Sequence, residues 1–196
     1  MTSRHEIIRA DILGMEDYAA ARPERKRAVA EFKKHRRVAV GPDATFYFES
    51  YDTMLHQVHE MLHIEKGGEQ QIEDELRAYN PMIPNGRELV ATLMFEIDEP
   101  DRRVEFLAGF GGVEETVTLT LNGETITATP EHDVDRTTAD GKASSIQFLH
   151  FAFTDAQVEK FRTPDAQVTI AIGHQKYGHL AVLPEAVRQA LAQDFY

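Results

Sequence analysis

Residues 116–129 read TVTLTLNGETITAT. Val117, Leu119, Leu121, Ile126 and Ala128 fall on one face and threonines on the other, which is the period of two of a half-buried strand. Between the two runs, Asn122-Gly123 suits a two-residue turn that needs positive φ at both positions. The stretch predicts an antiparallel hairpin with one face buried.

Working upstream, Leu89, Ala91, Leu93, Phe95 and Ile97 alternate and predict a long strand. A helix from Pro100 to about Phe110 follows and stops at Gly111-Gly112. Val38 and Val40, then Phe46 and Phe48, flank Gly41-Pro42-Asp43 and predict a second hairpin. Tyr51, Met54, Leu55, Val58, Met61 and Leu62 switch to helical spacing, and the chain breaks at Gly67-Gly68. A further helix is expected from Glu69 to about Tyr79, ended by Asn80-Pro81, because the residue before proline avoids helical dihedrals. At the N-terminus, Ser3 with Glu6 forms a capping-box pattern that predicts a short helix carrying Ile7, Ile8, Ile12 and Leu13. Pro23 is expected in the first turn of a second, basic helix.

Downstream of the hairpin, residues 130–145 are polar and predict a loop. Ile146–Phe153 is apolar on both faces, as a central strand would be. A helix over Thr154–Phe161, a strand over Val168–Ile172 and a last helix from Pro184 complete the reading. The elements do not alternate as β-α-β units. The expected class is α+β, an antiparallel or mixed sheet covered by helices, with a helical N-terminal part. One domain over 1–196 is expected, with a helical lobe 1–86 and a sheet-rich part 87–196 as the alternative division.

The composition narrows the chemistry. A 196-residue chain with 42% hydrophobic and 28% charged residues can bury a core. With no cysteine, disulfides, thiolate metal sites and cysteine nucleophiles are excluded, so a metal would have to be held by His, Asp, Glu or backbone oxygens. The first eight residues carry no secretory segment and no run is long enough to span a bilayer, so a cytoplasmic location is expected. The net charge of -12 opposes general binding to nucleic acid or anionic membranes. That charge is uneven: Arg22 to Arg37 holds eight basic residues against two acidic ones, a local +6 that leaves -18 on the remainder. This segment reads as a solvated face attracted to the acidic body of the same chain, or as a docking patch.

His59-Glu60-Met61-Leu62-His63 spells H-E-x-x-H. Histidines four apart share a helix face, so both could hold one zinc while Glu60 activates a bound water. Catalytic zinc also needs a third protein ligand. Gly67 falls one residue too late for the G-x-x-H continuation of one zincin class, and only His174 or His179 could approach through the fold. With the apolar stripe centred near Val58, the histidines are expected on the solvent face, and nine histidines among many glutamates also spell the pattern by chance.

The run RRVAVGPDATFYFESYDTMLHQVHEM at residues 36–61 is followed by DELRAYNPMIPNG at 74–86 and by SSIQFLHFAF, GHQKY and LPEAVRQALA. This ordered set, covering nearly the whole chain, resembles the bacterial domain-of-unknown-function family 3501. The resemblance implies a helix closer to Q-x-x-E-M-L, matched by Gln57 and Glu60, so the two histidines would be a local feature of this chain. It implies no reaction, and it implies a redox or oxidative-stress setting with redox proteins as partners. It also reaches His174 and Tyr177, which fall in the loop expected after the last strand, where His174 and His179 could form half of a metal site with Glu49 or Glu60. His150 is expected as a hydrogen-bonded core histidine.

The functional expectation is a small binding or accessory component with protein partners and a divalent metal, zinc or iron, as candidate cofactor. A zinc hydrolase built on His59, His63 and Glu60 is the first alternative. A protein-interaction module using residues 22–37 is the second.

Overall fold

In the computed structural model, which describes residues 4–131 and 143–196, the elements run as follows. They are α1 (Met15–Lys33), β1 (Arg37–Val40), β2 (Ala44–Phe48), α2 (Tyr51–Glu65), α3 (Glu69–Tyr79), β3 (Glu88–Phe95), α4 (Pro100–Leu107), β4 (Val117–Leu121), β5 (Glu124–Thr127), β6 (Thr129–Pro130), β7 (Ile146–Ala152), α5 (Asp155–Arg162), β8 (Val168–His174), β9 (Tyr177–Val182) and α6 (Glu185–Leu191). Two antiparallel sheets form, in the orders β1-β2-β3-β7-β6 and β5-β4-β8-β9. The α+β expectation holds, with every strand pair antiparallel.

The hairpin at 116–129 turns as its sequence dictates: Asn122 has φ 48° and Gly123 φ 88°, and Leu119 pairs with Ile126. Its apolar face is one wall of the main core. Val117, Leu119, Leu121, Ile170 and Ile172 of the smaller sheet meet Phe46, Leu89, Leu93, Leu149 and Phe151 of the larger one. The larger sheet is covered on its other face as well, where Met54, Val58 and Leu62 of α2 pack with Val90, Ile7, Ile12 and Ile72. The order of layers is therefore helices, larger sheet, smaller sheet. Each of those α2 side chains stabilises the helical layer by about 1.5–3 kcal/mol through the apolar area it removes from water.

Strand β3 lies between two covered faces and five of its eight residues run buried in sequence. The segment Ile146–Phe153, expected as a central strand, supplies β7, which pairs with β3 on one side and with the two-residue β6 on the other. Because β2 pairs with β3, the larger sheet draws strands from both sides of residue 86.

Other expectations change as well. The short N-terminal helix is reduced to a 3-10 turn at Arg9–Asp11, and Ser3 lies outside the described residues. The Asn80 side chain bonds both the N–H and the C=O of Ile7, at 2.8 and 3.0 Å, and so satisfies that backbone in an extended form. Pro23 lies inside α1 rather than in its first turn, since the helix starts at Met15 behind Gly14. Beyond Val168–Ile172, the expected loop is the hairpin of β8 and β9. Of the expected loop at 130–145, residues 132–142 lie outside the described residues, while Thr129 and Pro130 pair with β7.

Candidate functional site

Helix α2 is capped by Ser50, whose Oγ accepts from the Thr53 N–H while Thr53 Oγ1 accepts from the Ser50 N–H. One face of α2 is committed to the larger sheet. The opposite face, expected in solvent, is covered by α1, and His59 is fully buried beneath it. The cover is polar: Tyr18 is the buried residue of α1, and its ring stacks on the His59 imidazole with centroids 4.7 Å apart. A predominantly polar contact of this kind leaves no apolar stripe on α1, so periodicity could not reveal it.

The hydrogen bonds assign the His59 tautomer. Nε2 accepts from the Leu13 N–H at 3.0 Å, so the proton sits on Nδ1, which donates to the Leu55 carbonyl at 2.8 Å. Burial holds the ring neutral by lowering its pKa, against the opposing pull of the Leu55 bond. The lone pair a metal would need is already spent.

Glu60 is equally committed. Its carboxylate accepts a two-pronged pair from Arg22 at 2.7 and 2.8 Å and a third bond from the Tyr18 hydroxyl at 2.6 Å. The Arg22 bonds foremost hold its pKa down to about 2, against the effect of burial. Burial first, then the Glu60 bond, drives the Tyr18 hydroxyl upward. A carboxylate pinned so low is a poor general base near neutrality.

The depressed pKa has a consequence for acid stability. Glu60 contributes stability that is full above its ordinary value of 4.5 and is lost as pH falls toward about 2. Urea unfolding from pH 7 to 3 should show Glu60→Gln less stable than the parent at pH 7. The gap should narrow as the pH drops below 4.5.

His63, one turn on, meets Tyr18 edge-on at 5.9 Å and lines an open cavity. Burial raises the Tyr79 pKa, and the nearby Gln57 side chain opposes this. Glu49 is buried just before α2, where it accepts from Thr53 and Thr92 hydroxyls at 2.6 and 2.7 Å.

His174 and His179 stand on the other side of the larger sheet from α2, on the β8–β9 hairpin instead of a loop. The His174 ring lies on Phe110 at 4.5 Å, and its pKa is lowered, by burial first. His179 abuts Tyr177 at 4.4 Å. Tyr177 joins the sheets: its hydroxyl donates to the Val40 carbonyl at 2.8 Å and accepts from the Asp43 N–H at 2.9 Å. The expected grouping of His59, His63, Glu60, His174 and His179 is thus not assembled. Among the described residues, no three His, Asp or Glu side chains are placed to hold a metal ion.

His150 makes hydrogen bonds, as expected, but to two carboxylates at a partly open site: Glu88 on Nδ1 at 3.1 Å and Glu131 on Nε2 at 3.0 Å. Both ring nitrogens must carry protons to serve both partners, and the Glu88 bond chiefly raises the pKa. Its stabilisation is full below the ordinary 6.5 and is lost as pH rises through the higher folded value. In urea melts between pH 5.5 and 8.5, His150→Gln should cost most at the acid end.

Sequence reasoning missed a groove between α1 and α2. It measures about 330 Å³ and is lined by Ala28, Val29, Phe32, Leu55 and His56, with Arg25 and Asp52 at its edge. Phe32 is 41% exposed, and the buried Arg36 guanidinium backs its ring at 5.3 Å. Burial lowers the His56 pKa, Glu60 opposes this, and Lys33 and Lys26 lower it further. The basic run of the sequence and this exposed aromatic were the available signal.

Residues 6–195 match the family described as "Protein of unknown function (DUF3501)". A crystal structure described as a novel protein of unknown function from Burkholderia pseudomallei K96243 is 35% identical. The similarity covers 97% of this chain and 99% of that one, with a TM-score of 0.90. No curated protein matches. Among the described residues, no helix is long and apolar enough to cross a membrane.

Proposed function

Since the chain belongs to the DUF3501 family, whose description carries no activity, we propose from its geometry that it is a protein-binding accessory component that docks an acidic partner segment on the α1–α2 groove. The observation that carries this reading is the exposed Phe32 in an apolar furrow edged by Arg25 and Asp52, within a run, 22–37, that is +6 in a chain whose remainder is strongly acidic. Aromatic and Arg side chains within a polar rim are enriched at interaction hot spots. The cations of that run would steer a complementary partner and fix its register. The acidic body disfavours long polyanions and anionic membranes, whereas a short acidic stretch of a protein can meet the patch locally. The exposed Leu180 and Val182 of β9 also present apolar surface, but they pair with the uncharged Ala171 and Thr169.

The redox or oxidative-stress setting implied by the family resemblance would enter through the partner, because a cysteine-free chain brings no thiol chemistry of its own. A photo-crosslinking residue placed at Phe32, compared with one at Leu180, tests the reading in living cells. Position 32 should give an adduct with a protein whose linked peptide is acidic. Adducts from 180 with none from 32 would remove the proposal.

A further inference from the structure

A second cavity, about 550 Å³, opens on the other side of the Tyr18–His59 contact, where α1 begins, α2 ends and α3 begins. Its size and lining suit a small molecule: Leu13, Met15, Leu62 and Ile72 form an apolar floor, and the polar groups gather at the mouth. Those polar groups are not equivalent. Arg9 and Glu69 neutralise one another through two bonds at 3.0 and 2.6 Å. Glu16 lies in the first turn of α1, where the helix dipole offsets its charge. Lys66 and His63 complete the mouth, and neither makes a side-chain hydrogen bond among the described residues.

Lys66 holds φ 56° at the end of α2, a left-handed conformation uncommon for a residue with a side chain, although two glycines follow it directly. The N-terminus of α3, capped by glycine without a side-chain acceptor, adds positive potential at the same wall.

We infer that this cavity binds a small amphipathic monocarboxylate, a medium-chain or aromatic acid, with its apolar body on Met15, Leu62 and Ile72 and its carboxylate on Lys66 and His63. The inference is independent of the docking groove, which lies on the opposite side of the Tyr18–His59 contact. Octanoate is the probe, with octanol and octylamine as chain-matched neutral and cationic controls, and methyl NMR of the full chain is the readout.

Octanoate should give saturable shifts at Met15, Leu62 and Ile72, with octanol and octylamine binding at least about tenfold more weakly. Lys66→Met should weaken octanoate by about tenfold or more, as loss of a charge-assisted bond implies. Ala19→Trp, a substitution at an exposed position that fills the cavity, should abolish the shifts while leaving the methyl spectrum elsewhere intact. No saturable shift at those methyls, equal binding of octanol, or undiminished binding to Lys66→Met would each overturn the inference. Phe32→Ala should leave octanoate binding unchanged, so that failure of the docking reading and failure of this one are read separately.

Discussion

Replacing Arg36 by Ala should destabilise the protein by about 3–5 kcal/mol, the loss expected when one partner of a buried ion pair is removed. Sequence places Arg36 at the end of a basic run, as if for solvent, yet it is 2% exposed. Its Nε donates to the Phe48 carbonyl at 3.0 Å and its Nη2 to the Glu49 carbonyl at 2.7 Å. It also pairs with Asp194, so one side chain ties α1 and β1 to the end of β2 and to the C-terminus. Truncation leaves two carbonyls and a carboxylate buried without their donor.

Burial raises the Asp194 pKa above 3.8, with Arg36 opposing. A raised folded pKa means stability present below the unfolded value and lost as pH rises through the folded one, and removing Arg36 moves that loss further. The variant's deficit should therefore be larger at pH 7 than at pH 4, and Asp194→Asn in the same background should recover part of it. Urea unfolding gives both numbers; a deficit under about 1 kcal/mol would mean that the pair is solvated in practice.

The second large effect concerns recognition. In a complex identified by crosslinking from position 32, reversing Arg25, Lys26 and Lys33 to Glu together should weaken binding at least about 100-fold and abolish its salt sensitivity. Phe32→Ala alone should cost about 2 kcal/mol or more, as expected of a central anchor. These side chains lie at or near the surface, so the melting temperature should change little. Calorimetric titration at two salt concentrations reads the outcome. Affinity unchanged by charge reversal would show that these cations are only a solvated face.

The elements that sequence revealed are those whose own residues bury apolar area on one side. The Asn122-Gly123 hairpin, β3 and α2 each display their period because sheet or helix packing imposes it. Where contacts are polar or the pattern is inverted, the signal vanishes. Helix α1 holds α2 through Tyr18 and Arg22 instead of a hydrophobic stripe, so its start and the burial of His59 were invisible. Strand β9 turns Leu180 and Val182 outward and Gly178 beside them, which hides its alternation.

The same limit shaped the reading of H-E-x-x-H. The spacing correctly puts His59 and Glu60 on a helix, but spacing says nothing of what covers that helix. Here the cover uses both side chains.

The central claim is that the His59–Glu60 turn is a latch for α1 and not a metal site. Long-range proton–nitrogen NMR of the His59 ring tests it most directly, recorded before and after one equivalent of zinc. The account predicts a neutral ring protonated on Nδ1, with Nε2 as acceptor, unchanged by the metal. A zinc-dependent change at His59 Nε2 together with His63 would contradict it.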